Sequence, residues 1–138
     1  MISNFIKMPA ILKLLSVCFL VVLSFSMYSM TPGTSVVIFG SEVSALQWWT
    51  SGSGLVSFIT AISMMFASML MLRRSRYGRL AYIFSWLAMD LSIIFVASSF
   101  GSGVGILIST LSNSLITTLL IILYLYKSAA VKKYFLND

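Results

Sequence analysis

Histidine is absent from this 138-residue chain, cysteine occurs once, and aspartate and glutamate together number three. Each shortage removes a class of chemistry. Without His and with Cys18 alone, the usual zinc, haem and copper ligand sets cannot be assembled. A Ser-His-Asp or Cys-His nucleophile system is likewise out of reach within one chain. Three acids make a catalytic carboxylate pair improbable, and one Cys excludes a disulfide framework. Charge itself is scarce: 9% of residues are charged, against about 25% in soluble domains. No enzyme activity, cofactor or metal is therefore expected, and nucleic acid is not expected as a partner.

What the chain has in abundance is apolar surface. Hydrophobic residues make up 59% of it and the mean hydropathy is +1.03. A water-soluble domain this small hides only part of its area and could not bury that much. Low hydrophobicity is the mark of disorder, so that class is excluded too. The solvent is lipid.

A membrane helix needs about 20 mostly apolar residues to cross ~30 Å of hydrocarbon. Four segments qualify: Ile11–Met30, Gly54–Leu72, Gly78–Ser98 and Val104–Tyr126. Barrel strands would be about half as long and alternate in polarity. The expected fold is all-α: a polytopic four-helix membrane protein forming one unit over residues 1–138. Pro32-Gly33 closes the first span, and Gly101, Gly103 and Gly105 separate the third from the fourth. Lys7 and Lys13, a long apolar run and the small residues around Ser24–Ser29 also suit a cleavable signal peptide. The run is long for that role and cleavage sites prefer Ala, so a retained span is expected.

Basic residues set the orientation. Lys7 and Lys13 stand at the start of the first span, Arg73, Arg74, Arg76 and Arg79 fill the second connection, and Lys127, Lys132 and Lys133 follow the fourth span. All nine thus lie on one side. Positive charge stays cytoplasmic, so both termini are expected inside, in a cytoplasmic-type membrane such as a bacterial inner membrane. The Arg cluster also has the chemistry to hold anionic lipid headgroups, although setting topology suffices to explain it.

Asp90 lies eleven residues beyond Arg79, about 16 Å into the bilayer at 1.5 Å per residue. An acid at that depth costs ~2.5–3.5 kcal/mol on insertion scales, so it faces protein or water. It is either a structural or assembly contact or an ion-coupled site. Counting from Gly101, Asn113 comes to similar depth on the fourth span and is the expected partner, able to donate or accept. Ser109, Thr110 and Thr117 share its face. Ser57 and Thr60 of the second span reach nearly the same depth, and together these residues form an expected intramembrane polar layer. The bland alternative is that the hydroxyls bond to their own helix carbonyls.

On the third span Gly78, Ala81, Ser85, Ala88 and Ser92 form a small-residue stripe suited to close packing. Asp90 points about 160° away from it. With both faces unsuited to lipid, this helix is central, or shared with another chain. The second span sorts Ser53, Ser57, Thr60, Ala61, Met64 and Ser68 to one face and Leu55, Ile59, Ile62 and Phe66 to the other. In the outer connection Trp48-Trp49 reads as an interfacial anchor. Ser41 as N-cap with Glu42 behind it suits a short interfacial helix through Gln47.

Architecture of this kind is similar to that of small multidrug transporters and colicin-type immunity proteins. The similarity stops at architecture, because the membrane acid that the transporters carry in their first span is missing. The expected function is non-enzymatic docking of another membrane protein, or of a second copy, through the helices. The alternative is a small oligomeric ion-coupled transporter or channel using Asp90. Topology is directly testable. Reporters fused after Asp138 or within Arg74–Tyr77 are expected to be cytoplasmic, and those at Gly40 or Gly103 external. A cytoplasmic signal at Gly40 would overturn the four-span arrangement.

Overall fold

The computed structural model describes residues 2–29, 31–101 and 103–136. The chain is mostly helical. After the short α1 (Ile2–Lys7), four long helices follow in order: α2 (Ala10–Tyr28), α4 (Ser53–Leu72), α5 (Gly78–Ser99) and α6 (Val104–Lys127). All four are long and apolar enough to cross a membrane. The sequence boundary of the first span at Met30 lies outside the described residues. Between α2 and α4 stand the strands β1 (Ser35–Ile38) and β2 (Ser41–Ser44) and the helix α3 (Ala45–Thr50); α7 (Ala129–Leu136) ends the described chain.

The long helices pack in sequence: α2 against α4, α4 against α5, and α5 against α6. One end of the bundle gathers Lys7, the α4–α5 turn and α7, and is called here the basic end. The other carries the β1–β2 hairpin. At the basic end all four helices converge on one core, with Leu12, Leu15, Met71, Tyr82, Ile121, Leu125, Val131 and Tyr134 buried. The Tyr82 hydroxyl donates to the Leu15 carbonyl, tying α5 to α2. Towards the hairpin end α6 is much less covered. Its buried residues are Thr118, Ile121 and Leu125, none of them from its first fourteen positions.

Small residues set the closest approach. Gly78 presses on the α4 backbone, where an added Cβ would stand 3.0 Å from the Leu70 carbonyl and the Met71 nitrogen. The rest of the stripe, Ala81, Ser85, Ala88 and Ser92, runs along α5; Ser85 and Ser92 are buried and Ala81 and Ala88 are half-buried. Nearer the hairpin end a groove opens between the two helices. Ala88 and Ser92 line this groove of about 360 Å³ with Val56, Ile59, Thr60, Leu91 and Phe95. Stripe and acid are thus accommodated inside one chain, with α5 between α4 and α6. On α4, Leu55, Ile59, Ile62 and Phe66 are exposed, while Ser53, Thr60, Ala61, Met64 and Ser68 are buried.

The outer connection departs from an all-α reading. Residues 35–44 form an antiparallel hairpin in which Val36 pairs with Val43 and Val37 with Glu42. Its two-residue turn, Phe39-Gly40, has both φ values positive, at 51° and 83°. That geometry matches the strand twist, but an Asn-Gly or Asp-Gly pair is its usual signal. Helix α3 consequently starts later than Ser41. Ser44 is its N-cap, in a capping box with Gln47: the Gln47 N–H donates to Ser44 Oγ, and the Ser44 N–H to Gln47 Oε1 at 3.1 Å. Glu42 belongs to β2 and accepts from Ser35 Oγ at 2.6 Å.

Trp48 also differs from the interfacial anchor expected of it. It is 2% exposed and forms the centre of a second core with Val36, Val43 and Val96. Its ring stacks on Phe100 and meets Phe25 edge-on, both at 5.9 Å. Trp49 is half-buried, and its Nε1 donates to the Ser29 carbonyl at 3.1 Å. The hairpin supplies the apolar cover that turns Trp48 inward.

Overpacking a contact against backbone typically costs ~1–3 kcal/mol. Gly78→Val is therefore expected to lower the thermal midpoint clearly. Gly105→Ala should be silent, since nothing lies within 4 Å of the added Cβ. Equal midpoints for both variants would show that α4 and α5 are not set by this contact.

Candidate functional site

The site is built where α5 and α6 cross. Asp90 is 5% exposed. The Ser114 hydroxyl donates to Asp90 Oδ1, and Thr118 Oγ1 donates to Oδ2 at 3.0 Å. Ser114 and Thr118 are four residues apart, so they stand one turn apart on the same face of α6. One carboxyl thus holds two turns of the neighbouring helix. In hydrocarbon, where no water satisfies a carboxyl group, this pairing is what makes the acid tolerable.

Asn113 is not the partner. Its side chain is exposed on α6 and makes no hydrogen bond among the described residues. Depth counting from Gly101 placed the contact at the right level, but one residue along a helix is a rotation of about 100°. That slip turns Asn113 away and Ser114 inward. Ser109 and Thr117 are exposed with Asn113, and Thr117 Oγ1 bonds back to the Asn113 carbonyl at 2.8 Å.

Ser57 and Thr60 do not join the layer around Asp90 either. They belong to α4, on the stripe side of α5, and the acid points to the other side. Thr60 Oγ1 donates to Val56 O at 2.9 Å. Ser85 and Ser92 similarly bond to Tyr82 O and Met89 O. Most intramembrane hydroxyls thus close on their own helix. The polar layer contracts to a three-residue cluster of Asp90, Ser114 and Thr118.

No protein-family model, curated protein or solved structure matches the chain. Along α5 and α6, no acidic or basic side chain lies between Arg79 and Lys127 other than Asp90. Among the described residues no group of three or more His, Cys, Asp or Glu is placed to hold a metal ion. The cluster has the form of a hydrogen-bonded clasp.

Ser114 and Thr118 did carry a signal. Leu107, Leu111, Ser114, Thr118, Ile121 and Leu125 recur at spacings of four and three, which marks the packing face of α6. The polar members of that face are the partners of Asp90.

At the basic end the arginines do more than carry charge. The Arg74 guanidinium lies 4.8 Å over the Tyr134 ring, and Arg79 lies between Tyr126 and Phe135 at 5.3 and 5.0 Å. Arg76 covers Tyr77 at 4.6 Å and donates to its hydroxyl, and Arg73 is exposed at the end of α4. Two of the four thus clamp α7 to the bundle. Tyr134 also donates to Met71 O at 3.4 Å, and Asn4 Nδ2 to Leu72 O at 3.0 Å, so α1 and α7 satisfy the last carbonyls of α4. Burial pushes the Tyr134 hydroxyl above its usual pKa, with Arg74 pulling the other way.

The clasp is testable by a double-mutant cycle. Asp90→Leu and Thr118→Val are expected to couple by about 0.6–1.7 kcal/mol in unfolding from detergent. Asp90→Leu with Asn113→Leu should be additive. Coupling to Asn113 instead of Thr118 would show that α6 has the other rotation.

Proposed function

We propose that this protein is a non-enzymatic, small integral membrane protein that docks a partner membrane protein through its helices. It belongs to the class of accessory subunits, assembly factors and immunity-type factors. Its place is a bacterial inner-type membrane, with both termini cytoplasmic as the segregation of Lys and Arg requires.

One observation carries this reading. The outer half of α6 leaves Ser109, Ser112, Asn113 and Thr117 exposed on one face of a helix that crosses hydrocarbon. The Asn113 amide has two donors and an acceptor, none of them paired among the described residues. Mid-membrane, such a group is costly until another helix supplies partners. Small and polar side chains are also those that let membrane helices approach closely. Asp90 supports docking over ion coupling, since both its oxygens are engaged by the clasp and no second acidic or basic side chain on α5 or α6 continues a relay between Arg79 and Lys127.

Photo-crosslinking amino acids placed at Ser109, Asn113 and Thr117 are expected to capture another membrane protein in native membranes. The same probe at Ile59 or Phe66, on the exposed apolar face of α4, should capture lipid alone. Asn113→Leu should abolish co-purification of the captured protein. Equal capture from both faces, or none from α6, would sink the reading.

A further inference from the structure

At the basic end a cavity of about 490 Å³ opens between segments distant in sequence. It is lined by Lys7, Pro9, Arg74, Ala130, Lys133 and Tyr134. Its three cations come from the end of α1, the α4–α5 turn and α7. Among the described residues no acidic side chain lines it: Glu42 is on the hairpin at the far end of the bundle, and Asp90 is in the α5–α6 clasp.

The cavity has built walls. Tyr134 is buried, bonded to the end of α4 and covered by the Arg74 guanidinium, so the planar cation has a set orientation. Arg74 itself sits at φ +55°, a left-handed conformation uncommon for a residue with a side chain. The tight turn from α4 into α5 imposes it through Ser75 N–H to Leu70 O and Gly78 N–H to Ser75 O. Pro9 and Ala130 add an apolar wall.

Position narrows the ligand. The cavity lies beside the starts of α2 and α5 and the ends of α4 and α6, so it stands at the level where a bilayer presents its phosphates. Basic pockets at such a level recognise anionic headgroups. The volume lies within the usual range for small-ligand sites.

We propose that this cavity binds a phosphate group, with Lys7, Arg74 and Lys133 as its cationic contacts and Pro9 and Ala130 against the adjoining carbon skeleton. A planar guanidinium matches two phosphate oxygens at once, and the lysines act as point charges. Helix docking on α6 is not required for this site.

The test compares three probes on the detergent-purified full chain: phosphatidylglycerol, phosphatidylcholine and inorganic phosphate, read by native mass spectrometry and thermal shift. Phosphatidylglycerol is expected to be retained and to raise the midpoint. The double variant Lys7→Gln/Lys133→Gln, which spares the Arg74–Tyr134 contact, should lose retention by roughly tenfold or more. Lys127→Gln/Lys132→Gln removes the same charge outside the cavity and should change it less than about twofold. Equal protection by inorganic phosphate, lost in the same double variant, would support the site and assign free phosphate as its source. Equal retention of phosphatidylcholine, equal loss in both double variants, or no binding of either anion would overturn the proposal.

Discussion

In hydrocarbon a polar group has no water to turn to, and nearly every feature of this chain answers that constraint. Helices close their own backbone, which is why four long ones dominate. Serine and threonine hydroxyls along them mostly donate to carbonyls three or four residues back. Asp90 has two oxygens and no such local option, so it recruits Ser114 and Thr118 and fixes the rotation of α6 on α5. Of the three sequential contacts among the long helices, α5–α6 is the most lightly packed, which makes this clasp matter most where apolar packing contributes least. Breaking one partner leaves the acid exposed to a medium that cannot solvate it.

The bundle is asymmetric along its length. At the basic end, four helices, α1 and α7 bury a continuous aromatic and aliphatic core. At the other end the hairpin folds Val36 and Val43 over Trp48, and Phe25 and Phe100 complete that smaller core. Between these caps the first half of α6 is bound along one side only. The same constraint that explains the clasp makes the opposite side of α6 unfinished, because Asn113 sits there at the depth of Asp90. The proposed docking therefore depends on helix rotation: a slip of one residue would bury Asn113 and remove the polar face.

Arginine serves two purposes in this chain. As charge, it gathers with lysine at one end of the bundle. As a flat cation, it covers Tyr134, Tyr126 and Phe135 and holds α7 beneath the bundle. These uses reinforce each other, since α7 brings Lys133 beside Lys7 and Arg74. The resulting cavity joins three segments that are far apart in sequence.

Composition and spacing along the chain suffice to locate four long apolar helices, to group Lys and Arg away from the hairpin connection, and to mark the exposed apolar face of α4. These are properties of composition and of counting along a helix, which need no knowledge of neighbours. Packing between segments settles the rest. It selected Ser114 and Thr118 over Asn113, because depth accumulates by 1.5 Å per residue while rotation changes by about 100°. It turned Trp48 inward, because a Phe39-Gly40 hairpin without the usual turn pair brought apolar cover across it. It placed Ser57 and Thr60 on the far side of α5 from the acid, and brought Lys7, Arg74 and Lys133 to one cavity. Such outcomes depend on which helix lies beside which, and that is settled by packing between segments rather than by periodicity within one.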